Sequence, residues 1–146
     1  MRKKLGLFGA EVEDLELIQS LLGWMQDNQA DYTMTFRDLI REHIPTNPIY
    51  QSTDFKMWHE RWQARLSRQA NPLDSSLSLM CESNPIVIPR NHIVEAVLSS
   101  AQQGDLKPFM ALLNALQKPF DDNEKNIYYR DPPTQRDLHY QTYCGT

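Results

Sequence analysis

Apolar residues recur along this chain at spacings of three and four, in runs broken by prolines and polar loops, and this periodicity predicts helices throughout. From Glu11 to Asn28, Leu15, Ile18, Leu22 and Met25 form one stripe, widened by Leu17, Leu21 and Trp24. Thr33 then caps a short helix carrying Phe36, Leu39 and Ile40, which stops before Pro45, and Asn47-Pro48 lies in the loop that follows. A longer helix starts at Thr53 or Asp54 and places Phe55, Trp58, Trp62 and Leu66 on one face. Another, capped by Asp74 or Ser75, holds Leu77, Leu79 and Met80 and ends at Asn84-Pro85.

The stretch Asn84 to Glu95 organises what comes next. Two prolines bracket Ile86-Val87-Ile88, and a helix follows at once, with Arg90, Asn91 and His92 on its first turn. That helix carries Ile93, Val97 and Ala101, flanked by Val94 and Leu98, and Gly104 ends it. Asp105 caps a final helix whose stripe is Phe109, Leu112, Leu113 and Leu116, before Pro119. The expectation is an all-α chain, an irregular bundle of about five to seven short helices. A helical domain over 1–120 precedes an extended Pro/Tyr-rich tail over 121–146, with Pro132-Pro133, Tyr128, Tyr129, Tyr140 and Tyr143. The start is abrupt: Leu5, Leu7 and Phe8 read as the end of a helix whose beginning is missing.

Composition narrows the class without naming a reaction. A chain of 146 residues is long enough to bury a real core without disulfides or a structural metal. The formal net charge of −4 argues against a general nucleic-acid binder, including a helix-turn-helix that would use the arginine-rich helix. Cys81 and Cys144 are far apart and belong to no Cys-x-x-Cys or zinc spacing. The basic N-terminus has no signal-peptide run behind it, and no window approaches the roughly 18 to 20 apolar residues of a membrane span, so the expected location is cytoplasmic.

Candidate chemistry is sparse. No phosphate-cradling loop, nucleophile elbow or metalloprotease motif occurs, and His43, His59, His92 and His139 are scattered. Residues 11–31 hold six acids and no base, read as a solvated face on a capped helix start, or otherwise as a site for a cation or basic partner. Trp58 and Trp62, one turn apart, are core residues or a ligand-facing pair. Beside them Arg61, Arg65 and Arg68 form a basic ridge, either solvated or a contact for phosphate or an acidic surface. Arg90, Asn91 and His92 either hold an anion at a helix start or cap the helix and tie loops to it. Cys81 is expected to be a small buried residue, and Cys144, third from the end, is either without a role or a thiol that reaches another site.

Several pieces, in order along nearly the whole chain, carry a family resemblance. They are Lys4-Leu-Gly-Leu7, Asp31-Tyr-Thr with Phe36-Arg-Asp-Leu39, Trp58 with Trp62 and Arg65-Leu66, and Asn84-Pro85. Ile88-Pro-Arg-Asn-His92 with Val94-Glu95, Gly104-Asp105, Pro132-Pro133 and the terminal Cys144-Gly-Thr146 complete the series. The sequence resembles the C-terminal region of the selenoprotein O (SelO, or YdiU) family of kinase-like protein adenylyltransferases. The resemblance implies a partial domain of a larger protein that uses ATP and Mg to transfer AMP to hydroxyl side chains of protein substrates. It places the catalytic residues in an upstream kinase-like region outside this chain, so no catalytic, cofactor or metal residue is carried over. Met1 resembles an internal methionine of such a protein. Cys144 matches the family's near-terminal cysteine or selenocysteine, which implies redox control. The expected partners are the upstream region and its protein substrates, and neither nucleic acid nor membrane. An apolar patch left by the upstream region is also a route to dimers. The competing reading is a free-standing protein-interaction module from a truncated gene, binding through the Trp/Arg helix or the tyrosine-rich tail.

Overall fold

The computed structural model describes residues 1–41, 46–123 and 126–132. Among them are seven α-helices and no strand: α1 (Asp14–Asp27), α2 (Tyr32–Asp38), α3 (Thr53–Arg68), α4 (Leu73–Ser83), α5 (Asn91–Gln102), α6 (Lys107–Gln117) and α7 (Ile127–Arg130). Two 3-10 turns, Arg2–Leu5 and Pro48–Gln51, precede α1 and α3. The chain gathers into two compact units, Met1–Pro85 and a second that begins at Ile86. The division falls inside the proline-bracketed stretch. Asn84 is buried in the first unit, and Ile86 and Val87 are buried in the second.

The helices form where the periodicity placed them, but their caps differ. Asp31, not Thr33, caps α2, its carboxylate accepting from the Met34 amide at 2.8 Å. Ser52 caps α3 by accepting from the Phe55 amide, and it also receives the Trp24 indole N–H. Pro72 stands at the start of α4, so neither Asp74 nor Ser75 caps it. Asp105 sits two residues ahead of α6 and accepts from the Lys107 amide at 3.0 Å without being the cap residue. At α2 and α3 a short polar side chain on an extended residue satisfies the first orphan amides, one or two residues upstream of the position chosen from sequence.

Unit 1 is built on the crossing of α1 and α3. Leu17, Leu21, Trp24 and Met25 of α1 meet Phe55, Trp58 and Trp62 of α3, with Leu5, Leu7, Phe36, Leu39, Tyr50 and Met80 closing the core. The buried line of α1 therefore runs through Leu17, Leu21 and Trp24. Leu15, expected inside, is 61% exposed, and Leu22 is exposed as well. A helix with apolar residues round more than half its circumference fits two stripes, and packing against α3 selects one. The N-terminus is not the end of an α-helix. Its 3-10 turn stops at Gly6, which adopts φ 70°, and Leu5 and Leu7 on either side of it are buried.

Unit 2 has a thinner core. Ile86, Val87, Ile93, Val97, Leu112 and Ala115 are buried, with Leu116 and Tyr129 packed on them. The Ile86 and Val87 amides both donate to the Pro119 carbonyl, at 2.6 and 3.1 Å, which clamps the entry of the unit to the end of α6. Gly104 ends the α5 region with φ 90°, as expected of a left-handed stop. Of the expected extended tail, residues 121–123 and 126–132 are described, and α7 forms among them with Tyr129 packed on the core; 133–146 lie outside the described residues. Phe109 and Leu113, expected on the buried stripe of α6, are each 39% exposed. Together with Leu106 and Met110 they make a second, open apolar line along that helix.

Candidate functional site

The tryptophans of α3 are structural. Their rings stack 5.9 Å apart with planes 8° from parallel, and both are buried. Each indole N–H donates to a backbone carbonyl far away in sequence, Trp58 to Leu17 at 2.8 Å and Trp62 to Leu5 at 2.9 Å. A buried indole with its single donor satisfied has no polar group left for a ligand.

Arg65 corrects the reading of a solvated basic ridge. It lies seven residues after Trp58 and three after Trp62, on the same buried face of α3, and its side chain is 3% exposed. Its Nε donates to Asp14 at 2.8 Å, and Asp14, at the start of α1, is wholly buried. Asp14 also accepts from Arg2 Nε at 2.7 Å and from the Glu11 amide at 3.0 Å. Burial by itself pushes the Asp14 carboxyl up, but the bonds from Arg65, the Glu11 amide and Arg2, with the Arg65 charge, outweigh it and hold the pKa below the ordinary value. Outward from this pair, Glu11 contacts Arg65 and Arg68, Glu13 contacts Arg68, and Glu16 contacts Arg61. The acidic run and the arginines are thus partners within the chain.

Three further polar groups escaped the sequence reading. Asn84, 1% exposed, donates to the Lys4 and Met80 carbonyls and accepts from Lys4 Nζ at 3.2 Å. Lys4 also bonds the Ser83 carbonyl and lies 5.6 and 5.4 Å from the Tyr32 and Phe36 ring centroids; burial lowers its pKa. Tyr50 O–H donates to Asp38 at 2.9 Å inside the core, and burial, followed by the Asp38 charge, raises its pKa strongly. A signal existed for the first pair only. Asp14 sits three residues before Leu17, and Arg65 three after Trp62, so each extends an apolar stripe with a charged residue.

Around the remaining candidates the geometry is plain. Arg90 occupies the position before α5 with extended backbone and no side-chain cap, and its Nε donates to the Arg130 carbonyl at 3.1 Å. It ties the start of α5 to the end of α7. Asn91 is exposed and His92 half-buried. Cys81, expected inside, is exposed, because α4 buries the line through Ser76 and Met80 and position 81 is turned about 100° away from it. Cys144, His43 and His139 lie outside the described residues.

A cleft of about 830 Å³ opens in unit 1, lined among others by Leu39, His59, Trp62, Leu66 and Leu77. None of its described lining residues is a carboxylate. His59 stacks on Phe55 and meets Trp62 at a tilt of 50°, and burial, only partly offset by Glu60, lowers its pKa. Among the described lining residues no carboxylate stands beside the imidazole to form an acid–base pair with it. Among the described residues no group of three or more His, Cys, Asp or Glu is placed to hold a metal ion, and no helix is long and apolar enough to cross a membrane.

A family model described as protein adenylyltransferase SelO matches residues 1–117. Curated relatives named protein nucleotidyltransferase YdiU match the chain over its full length. The protein from Nitrosococcus oceani is 51% identical, that from Alcanivorax borkumensis 52%, and that from Syntrophotalea carbinolica 48%. In each case the chain spans 30% of the relative's length.

Proposed function

The chain belongs to the SelO family of protein adenylyltransferases, and from that premise we propose that it is the helical supporting region of a protein nucleotidyltransferase. In this reading it completes a kinase-like catalytic region that transfers AMP from ATP to protein hydroxyls, and it does not catalyse that transfer by itself. The observation that carries the reading is the pairing of a full-length match with only 30% coverage of relatives named protein nucleotidyltransferase.

The described residues do not fit an ATP–Mg²⁺ site. Asp14 is committed to Arg65 and Arg2, Asp38 to Tyr50 and Arg41, and Lys4 to Asn84 and the Ser83 carbonyl. ATP and Mg²⁺ belong, in this reading, to the part of the relatives that the chain does not span. Its contribution, in this reading, includes the open apolar line at and along α6 (Leu106, Phe109, Met110 and Leu113), which meets the catalytic region. Cys144, outside the described residues, is proposed as a redox-responsive thiol acting on that region.

The test is labelling of protein substrates with ATP tagged on the α-phosphate. The purified chain alone should transfer no AMP, whereas the chain joined to the remaining region of a YdiU relative should. Robust transfer by the chain alone refutes the supporting role. In the joined protein, Cys144→Ser should change the response of transfer to oxidant while leaving reduced activity intact; unchanged sensitivity refutes the redox role.

A further inference from the structure

The segment Lys4 to Phe8 is held as a peptide ligand is held. Five of its backbone polar groups are taken by side chains rather than by other backbone. The Lys4 carbonyl accepts from Asn84 Nδ2 at 2.9 Å, the Leu5 carbonyl from Trp62 Nε1 at 2.9 Å and the Gly6 carbonyl from Gln69 Nε2 at 3.1 Å; the Phe8 amide donates to Gln69 Oε1 at 3.1 Å, and its carbonyl accepts from Arg65 at 3.2 Å. Gln69 therefore grips the segment with both ends of its amide, as a neighbouring strand would.

The side chains add selectivity. Leu5 and Leu7 are buried at 0% and 2% exposure. Between them Gly6 has φ 70°, and a Cβ there would stand 3.0 Å from both the Ser76 Cβ and carbonyl oxygen and 3.1 Å from Met80 Cγ. Only glycine meets the backbone angle and the close approach together. Outside the pocket, Arg2 bonds the buried Asp14, and Lys4 lies against the rings of Tyr32 and Phe36.

We propose that α3, Gln69, α4 and Asn84 form a slot for a Lys-Leu-Gly-Leu-Phe peptide, occupied in cis by residues 4–8, and that this slot is the joint through which a preceding region of the protein is held in register with unit 1. The joint rests on the supporting role proposed above; the slot does not. The Asn84 and Gln69 amides, the Trp62 indole and the Arg65 guanidinium reach the turn and bend of residues 4–8 without requiring a strand partner.

The experiment uses the 146-residue chain, without any AMP-transfer readout, so failure of the slot and failure of the supporting role are separate results. Amide hydrogen exchange is followed in the wild type, in Gly6→Ala and in Gln69→Ala. In both variants exchange at Leu7 and Phe8 should rise on the order of tenfold or more, while α1 and the first turns of α3 change by less than about threefold. A synthetic peptide with the sequence of residues 1–10 should then bind the Gly6→Ala chain saturably and restore protection of the slot, and should not bind wild type, whose slot is filled. The same peptide carrying the Gly6→Ala change should not bind. Exchange that rises equally through α1 and α3 in both variants, or failure of the peptide to bind, overturns the proposal: residues 4–8 are then ordinary core and the slot does not exist without them.

Discussion

Replacing Asp14 with alanine should cost unit 1 about 3–5 kcal/mol, because it leaves the buried Arg65 guanidinium without its main counter-charge. The structure sets that magnitude. The Asp14 side chain is 0% exposed, the Arg65 side chain 3%, and the bond between them is 2.8 Å, so water replaces neither partner. Glu11, 3.1 Å from Arg65 and partly exposed, recovers a fraction of the loss. By contrast, Arg61→Ala removes a pair with both partners exposed and should cost no more than about 1 kcal/mol. The assay is urea unfolding followed by tryptophan fluorescence. All three tryptophans, Trp24, Trp58 and Trp62, lie in unit 1, so the signal reports that unit alone. With a denaturant slope of roughly 1–3 kcal/mol per molar, the midpoint should fall by on the order of 2 M. A double-mutant cycle with Arg65→Met should show coupling well above about 0.5 kcal/mol, because the second substitution removes the orphaned charge. An Asp14→Ala cost below about 1 kcal/mol, or costs that simply add, refutes the view that this pair is desolvated and interdependent.

Two further outcomes follow from the same core. Tyr50→Phe should destabilise unit 1 by about 1–3 kcal/mol by leaving the buried Asp38 carboxylate short of a donor, and a midpoint within error of wild type contradicts this. Stability should also fall below neutral pH. The folded His59 pKa lies under the ordinary 6.5, so below that value the unfolded chain binds a proton that the folded chain resists, and stability is lost as pH falls towards the folded pKa. His59→Gln should flatten the denaturation midpoint between about pH 7.5 and pH 5.5; an undiminished slope means that another group titrates there. The Asp14 contribution, with its depressed folded pKa, is present above the ordinary carboxylate value and is lost only at lower pH, as the folded pKa is passed.

Periodicity alone determined that this chain is helical and roughly where most helices lie; the division into two units near Pro85, inside what reads as one helical domain over 1–120, came only with the structure. Helix type and place are local properties: a stripe at spacings of three and four needs no partner to be read, and proline and glycine stop a helix wherever they stand. The ordered short motifs determined the family on the same one-dimensional footing. Only the tertiary structure decided which of two apolar lines on α1 faces α3, and so why Leu17 is buried and Leu15 is not. It likewise decided the fate of the charges. The acids at the start of α1 and the arginines of α3 look like two solvated faces when each helix is taken alone, and they become one network when the helices cross, with Asp14 and Arg65 sealed inside it. Asn84 and Gln69 show the same limit from the polar side. Each is an ordinary loop-forming or surface residue type, and each is given its role by an N-terminal segment more than sixty positions away, as when Gln69 takes the Gly6 carbonyl and the Phe8 amide. Charge pairing and backbone capture depend on distance in space, and the crossing of α1 with α3 is what sets that distance.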